Sequence, residues 1–164
     1  MDLQPAAVGL NVRRAADDDV ETLLTIQREA AVVAFAHVFP QDLYPFPDDD
    51  IREHWRELVA DHVGEVYLAE QDGEALGSVS VGEEFLRTLY VRPRAQGMGI
   101  GSRLHDLALE RLRHRGCTVA KLWTLEENWP ARAFYESRGW RLTDVTRVVP
   151  FPPNPLDVQY EKKL

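Results

Sequence analysis

The sequence predicts a single α/β domain, with about seven strands flanked by about four helices. Three observations carry that expectation. Between Leu89 and Leu112 the apolar pattern changes from strand-like to helical across a glycine-rich turn, the mark of a strand that feeds a helix directly. Between Glu65 and Val81 two runs flank Asp72-Gly73, a dipeptide suited to a tight hairpin. Between Pro130 and Gly139, a proline at a first helical position and a glycine just past the end bracket a short helix. The 164 residues suffice for one proper core and are too few for two comfortable ones.

Val8, Leu10 and Val12 alternate within Val8 to Arg14 and give the first strand. Asp17-Asp18-Asp19 then opens a helix, with Asp18 and Glu21 spaced as a capping box and Val20, Leu23, Ile26, Ala30 and Val33 as the apolar face. The acid run reads as a solvated helix start, not as a metal site. From Phe35 to Pro47 the chain is rich in aromatics (Phe35, His37, Phe39, Tyr44, Phe46) and in prolines, which exclude a long helix. It reads as a lid over the core, as the wall of a ligand pocket, or as both. A second helix follows, with Asp50 and Glu53 as another box and Ile51, Trp55 and Leu58 on one face.

The hairpin strands span 65–70 and 75–81; in the second, Val79 and Val81 alternate with Ser78 and Ser80, giving one apolar and one polar face. Glu83 and Glu84 precede the strand 86–91. A helix from about residue 99 to 115 stops at Gly116. The strand 118–124, the bracketed helix and a strand near 141–149 come next. Pro150-Phe151-Pro152-Pro153-Asn154-Pro155 is too rich in proline for a strand centre, and the last strand, 156–162, alternates at Val158 and Tyr160.

Composition bounds the function. No apolar run reaches membrane-spanning length, and the N-terminus lacks a basic region followed by an apolar one. A net charge of −8 argues against a nucleic-acid surface and favours a cationic partner. The single cysteine, Cys117, excludes an internal disulfide and suits a reducing, cytoplasmic setting; it reads as a buried strand residue rather than a nucleophile. The five histidines show no paired ligand spacing (His54 and His62 come nearest), so no metal is expected.

Chemistry concentrates in Leu89-Tyr90-Val91-Arg92-Pro93-Arg94-Ala95-Gln96-Gly97-Met98-Gly99-Ile100-Gly101. Gly97, Gly99 and Gly101 let backbone N–H groups converge at a helix N-terminus, where a partial positive charge suits phosphate. A dinucleotide fingerprint fails, because Leu104 stands where its last glycine belongs; a nucleotide P-loop fails at Gly101-Ser102-Arg103. Gln96-x-x-Gly99-x-Gly101 after Leu-Tyr-Val-Arg-Pro resembles the acetyl-CoA pyrophosphate loop of the GNAT superfamily of N-acetyltransferases. Further on, Asn128-x-x-Ala131-x-x-Phe134-Tyr135-Glu136-x-x-Gly139-Trp140 resembles that family's second signature region. The resemblance covers Ala75 to Leu164 well, and the earlier segment only in element order.

The resemblance implies a mixed, mostly antiparallel twisted sheet, and acetyl-CoA as donor to a primary amine of a small molecule or peptide, attacked directly at the thioester. It implies cofactor contacts at Leu89, Tyr90, Val91, Gln96, Gly97, Met98, Gly99, Ile100, Gly101, Ser102, Asn128 and Tyr135, with Leu89 and Val91 offering backbone N–H groups. Asn128 would meet the pantetheine arm, and Tyr135 would be the general acid to the leaving thiolate. A carboxylate just before the cofactor strand often serves as base in this family; Glu84 is favoured over Glu83, although one residue of register exchanges them. Phe151 would wall the acceptor site. A longer donor such as succinyl-CoA would need a cationic group that the sequence does not place. Dimerisation is common in the family, and a homodimer is compatible with the sequence. A non-catalytic acyl-CoA-binding module with the same fold is the alternative; Tyr135 and the intact glycine loop favour the enzyme.

Overall fold

The computed structural model describes residues 9–164, so Val8 lies outside the described residues. Seven strands form one sheet: β1 (Asn11–Arg14), β2 (Gly64–Gln71), β3 (Glu74–Gly82), β4 (Phe85–Val91), β5 (Val119–Leu125), β6 (Arg141–Val148) and β7 (Leu156–Lys163). Four helices accompany them: α1 (Val20–Ala34), α2 (Asp48–Ala60), α3 (Ile100–His114) and α4 (Trp129–Glu136). The strand order is β1-β2-β3-β4-β5-β7-β6, antiparallel throughout except at β4–β5. The expected mixed, mostly antiparallel sheet is therefore present.

Alternation along the strands divides two cores between the faces. Val79, Val81, Leu122 and Tyr160 pack with Leu104 and Leu112 of α3 on one side. Val66 and Leu68 pack with Leu23 and Ile26 of α1 and Trp55 of α2 on the other. The polar face expected of β3 is buried as well: Ser80 pairs with Thr88 at 2.6 Å, and the Ser78 hydroxyl has no partner among the described residues. Both faces are covered, so alternation here separates two cores rather than core from solvent. The β2–β3 hairpin turns at Asp72 and Gly73, whose φ values of +53° and +77° fit the turn type that Asp-Gly favours.

Several local expectations change. The box at Asp18 and Glu21 does not form; a short 3-10 turn at Asp17–Asp19 precedes α1, and Asp19 accepts the Ala16 N–H at 2.8 Å while pairing with Arg13. Val33 is 66% exposed, and Leu24 and Ala31 take the buried stripe instead. α2 begins three residues earlier than the Asp50–Glu53 box requires, with no side-chain cap and Asp48, Asp49 and Asp50 together in its first turn. Cys117 lies half-buried in the connection before β5, not within a strand.

Candidate functional site

The sheet opens where its one parallel pair fails. β5 is engaged along its length with β7, from Val119–Lys163 to Leu125–Asp157, but its ladder with β4 holds a single pair, Phe85–Lys121. Antiparallel geometry then fixes where the β4 backbone points. Arg92 N–H donates to Leu76 O at 2.9 Å, so the opposed pairs Tyr90–Ser78 and Thr88–Ser80 also bond inward to β3. The N–H and C=O groups of Leu89 and Val91 therefore point toward β5, where no ladder receives them. A cleft of about 1230 Å³ occupies the gap, lined by Leu89, Tyr90, Trp123, Leu125, Asn128 and Tyr135 among others.

β4 leads through a 3-10 turn at Pro93–Ala95 into the glycine loop. Gly97 and Gly99 have φ of +78° and +83°, with open space where a Cβ would stand, so the backbone shape rather than crowding calls for glycine. Gly99 is the N-cap of α3 and no side chain caps it, leaving the first-turn N–H groups of Ile100, Gly101 and Ser102 for an external acceptor. At Gly101 a Cβ would sit 3.7 Å from Phe134, ordinary contact distance. Gln96 Nε2 donates to Val91 O at 3.3 Å, tying loop to strand end. Arg138, which sequence reasoning passed over, lies 3.6 Å above the Phe134 ring and donates to Ser102 Oγ at 2.6 Å, bringing a cation to the same helix end. An uncapped helix start, two left-handed glycines and an adjacent guanidinium fit a pyrophosphate. Met98 is 44% exposed beside them, whereas the Ile100 side chain is buried, so a ligand can reach only its backbone.

α4 sets the opposite wall. Asn128 Oδ1 caps the helix at Ala131 N and its Nδ2 donates to Thr124 Oγ1, both at 3.4 Å, so this side chain organises the turn while lining the cleft. The Tyr135 ring is held edge-on by Phe134 and Trp140, with centroids 5.4 and 5.8 Å away. No described residue hydrogen-bonds its hydroxyl, which opens on the cleft. Burial, and secondarily the nearby Tyr90, hold the Tyr135 pKa well above the usual phenol range. Tyr90 is pushed up to about 12 by burial and by the charge of Asp157. Both phenols are protonated at neutral pH.

Glu84 is not brought to this place. Its carboxylate pairs with Lys121 Nζ at 2.8 Å and does not line the cleft; the turn before it is set by Glu83, at φ +53°. Four carboxylates do line the cleft, Asp50, Glu57, Asp61 and Asp157, and the one whose charge acts on Tyr90 is Asp157, at the start of β7. The sequence signal for it was faint: a polar residue between Leu156 and Val158, pointing to the face opposite the Val158–Tyr160 core. Phe151 and the aromatic segment, by contrast, do wall a second cavity that adjoins the cleft.

Among the described residues no group of three or more His, Cys, Asp or Glu side chains could hold a metal ion, and no helix is long and apolar enough to cross a membrane. A family model described as "Acetyltransferase (GNAT) family" matches residues 30–140. An uncharacterized N-acetyltransferase of Archaeoglobus fulgidus is 30% identical over 147 residues, which cover 80% of this chain and 93% of the relative. A mycothiol acetyltransferase of Thermomonospora curvata is 34% identical over 112 residues, 64% of this chain but 37% of that protein, so the chain spans little more than a third of it. In three dimensions, a paia N-acetyltransferase of Thermoplasma acidophilum, solved in complex with coenzyme A, superposes with a TM-score of 0.74 over 94% of this chain and 99% of the other, at 18% identity. At that identity the likeness is one of fold.

Proposed function

The chain belongs to the GNAT family of acetyltransferases, with acetyl-CoA as donor, and from that premise we propose that it transfers an acetyl group to a primary amine of a small molecule or peptide by direct attack on the thioester. The observation that carries this reading is the open β4–β5 gap, which leaves the backbone N–H groups of Leu89 and Val91 free beside a Tyr135 hydroxyl that has no partner among the described residues. The glycine loop takes the pyrophosphate on the first-turn N–H groups of α3, with Arg138 alongside. Asn128 and the free edge of β4 bracket the pantetheine arm. A β4 N–H meets the thioester oxygen, and a preorganised donor of that kind is typically worth about 10²–10³-fold in rate.

The neutral amine attacks the carbonyl carbon, the C–N bond forms, and the C–S bond breaks. Tyr135 gives its proton to the leaving sulfur and recovers one from the attacking nitrogen. Its raised pKa keeps that proton in place until negative charge develops, and the burial that disfavours the phenolate also makes the thiolate more basic. Incubation with acetyl-CoA and a mixture of amines, followed by mass spectrometry, tests the reading. An acceptor that gains one acetyl group in an enzyme-dependent, saturable manner is the expected result. No acetylated amine, while acetyl-CoA binds, would contradict it.

A further inference from the structure

The second cavity, about 470 Å³, adjoins the cleft through Phe35, Leu125, Val149 and Phe151. Its walls come from the aromatic segment after α1 and from the loop before β7. Among the described residues that line it Asp157 is the only charged one, and it lines the cleft as well. Its surroundings are preformed. Gln41 Oε1 accepts Phe46 N–H at 2.9 Å while its Nε2 donates to Phe39 O at 3.0 Å and Tyr44 O at 3.3 Å, so the amide is spent on shaping the loop. The carbonyl of Gln27, the remaining amide of the cavity, is taken by Trp55 Nε1 at 2.8 Å. Asp157 is 8% exposed; its Oδ2 accepts Arg147 Nε at 3.0 Å, and no described donor occupies Oδ1. Arg147 thus already neutralises this buried carboxylate through Oδ2, and Oδ1 is left as an acceptor for a further donor at the cavity end.

We propose that this cavity is the acceptor site, that it selects primary amines carrying an apolar or aromatic body, and that Asp157 binds the ammonium and takes its first proton. The proposal rests on the acetyl-transfer reading and deepens it. Shape and charge agree on the class. The aromatic and proline walls offer a polycation nothing but desolvation, whereas one carboxylate at the inner end matches one ammonium on a ring-bearing chain. Asp157 lines both cavities, and Tyr90 and Tyr135 line the cleft with it, so a nitrogen bound at Asp157 sits where the apolar cavity opens on the acid. The step balances. The ammonium gives one proton to Asp157 and attacks, the sulfur takes the Tyr135 proton, the nitrogen's second proton returns to Tyr135, and Asp157 releases its own to solvent.

Calorimetry in the presence of coenzyme A tests this with phenethylamine, spermidine and a short lysine peptide, beside thiol release from acetyl-CoA with each. The expected result is that phenethylamine binds ~10-fold or more tighter than the other two, and that Asp157→Asn weakens it ~10–100-fold, with acetyl-CoA affinity and melting temperature retained. Should Asp157→Asn fail to fold, Phe39→Ala serves instead: ~10-fold weaker phenethylamine binding and unchanged spermidine binding. Preference for spermidine or the peptide, no amine binding at all, or an unaltered Asp157→Asn would each overturn the proposal. Phenethylamine bound through Asp157 without any acetyl transfer would instead remove the catalytic reading and leave the amine site standing.

Discussion

The two halves of the cleft are built by different means. On the donor side, one continuous stretch from β4 through the loop into α3 supplies the free strand edge, the glycine turn and the helix N-terminus within about a dozen consecutive residues. On the acceptor side, two regions far apart in the chain, one holding Gln27 and Phe39 and the other the paired Arg147 and Asp157, meet only because α1 and the β6–β7 hairpin flank the same gap. A cofactor shared by many proteins can be held by local backbone geometry, whereas an acceptor must be picked out by side chains gathered from the whole fold. Cofactor binding is thus concentrated in the first half and acceptor selection in the second.

That contrast can be broken most sharply at Tyr135, which faces both. Tyr135→Phe is expected to lower turnover by about 10²–10⁴-fold for every acceptor while acetyl-CoA affinity holds, a split read from kcat and a calorimetric Kd. Near-normal turnover would remove it from the mechanism.

Next in size is a change at the turn before α1, outside the lining of both cavities, that should touch stability alone. Arg13 holds the Asp19 carboxylate below the usual aspartate range, chiefly through its hydrogen bonds and helped by the Ala16 N–H. A depressed carboxylate pKa contributes stability above the unfolded value, and that contribution disappears as pH falls through the folded one. Asp19→Ala should therefore cost about 1–2 kcal/mol at neutral pH and much less in strong acid, measured by denaturant unfolding at several pH values. An equal loss at all pH values would contradict the assignment.

Within the donor loop the glycines should differ. Gly99→Ala places a Cβ at φ +83° and is expected to cost about 1–2 kcal/mol, seen as roughly tenfold weaker acetyl-CoA binding. Gly101→Ala, in ordinary contact with Phe134, should leave binding within about threefold, well under 1 kcal/mol. Smallest of all is Glu84→Gln. It removes a half-exposed pair with Lys121, worth about 0–1 kcal/mol, and should leave the pH–rate profile in place. A lost limb of that profile would return Glu84 to the role of base.

Legibility in the sequence follows the same division. The loop, the bracketed α4 and the Asp72-Gly73 hairpin were readable because each is specified by residues a few positions apart. Gly116 and Gly139, at φ +84° and +85°, end their helices where the pattern indicates. The acceptor carboxylate was not readable, because Asp157 reaches the cleft only through the Leu125–Asp157 register between strands some thirty residues apart. Glu84 was misleading for a related reason: its direction depends on the positive φ of Glu83, which no spacing rule reveals. The two serines of β3 mark a polar face in the sequence, but alternation reports two environments without saying that both are buried.

The assignment of the donor side can be tested without turnover, by titrating labelled protein with acetyl-CoA and following backbone amide resonances. The account predicts that Leu89, Val91 and the amides from Gly97 to Ser102 shift together, saturably, with those of Asn128 and Tyr135. Shifts clustered elsewhere, with the β4 edge and the α3 N-terminus unmoved, would contradict it.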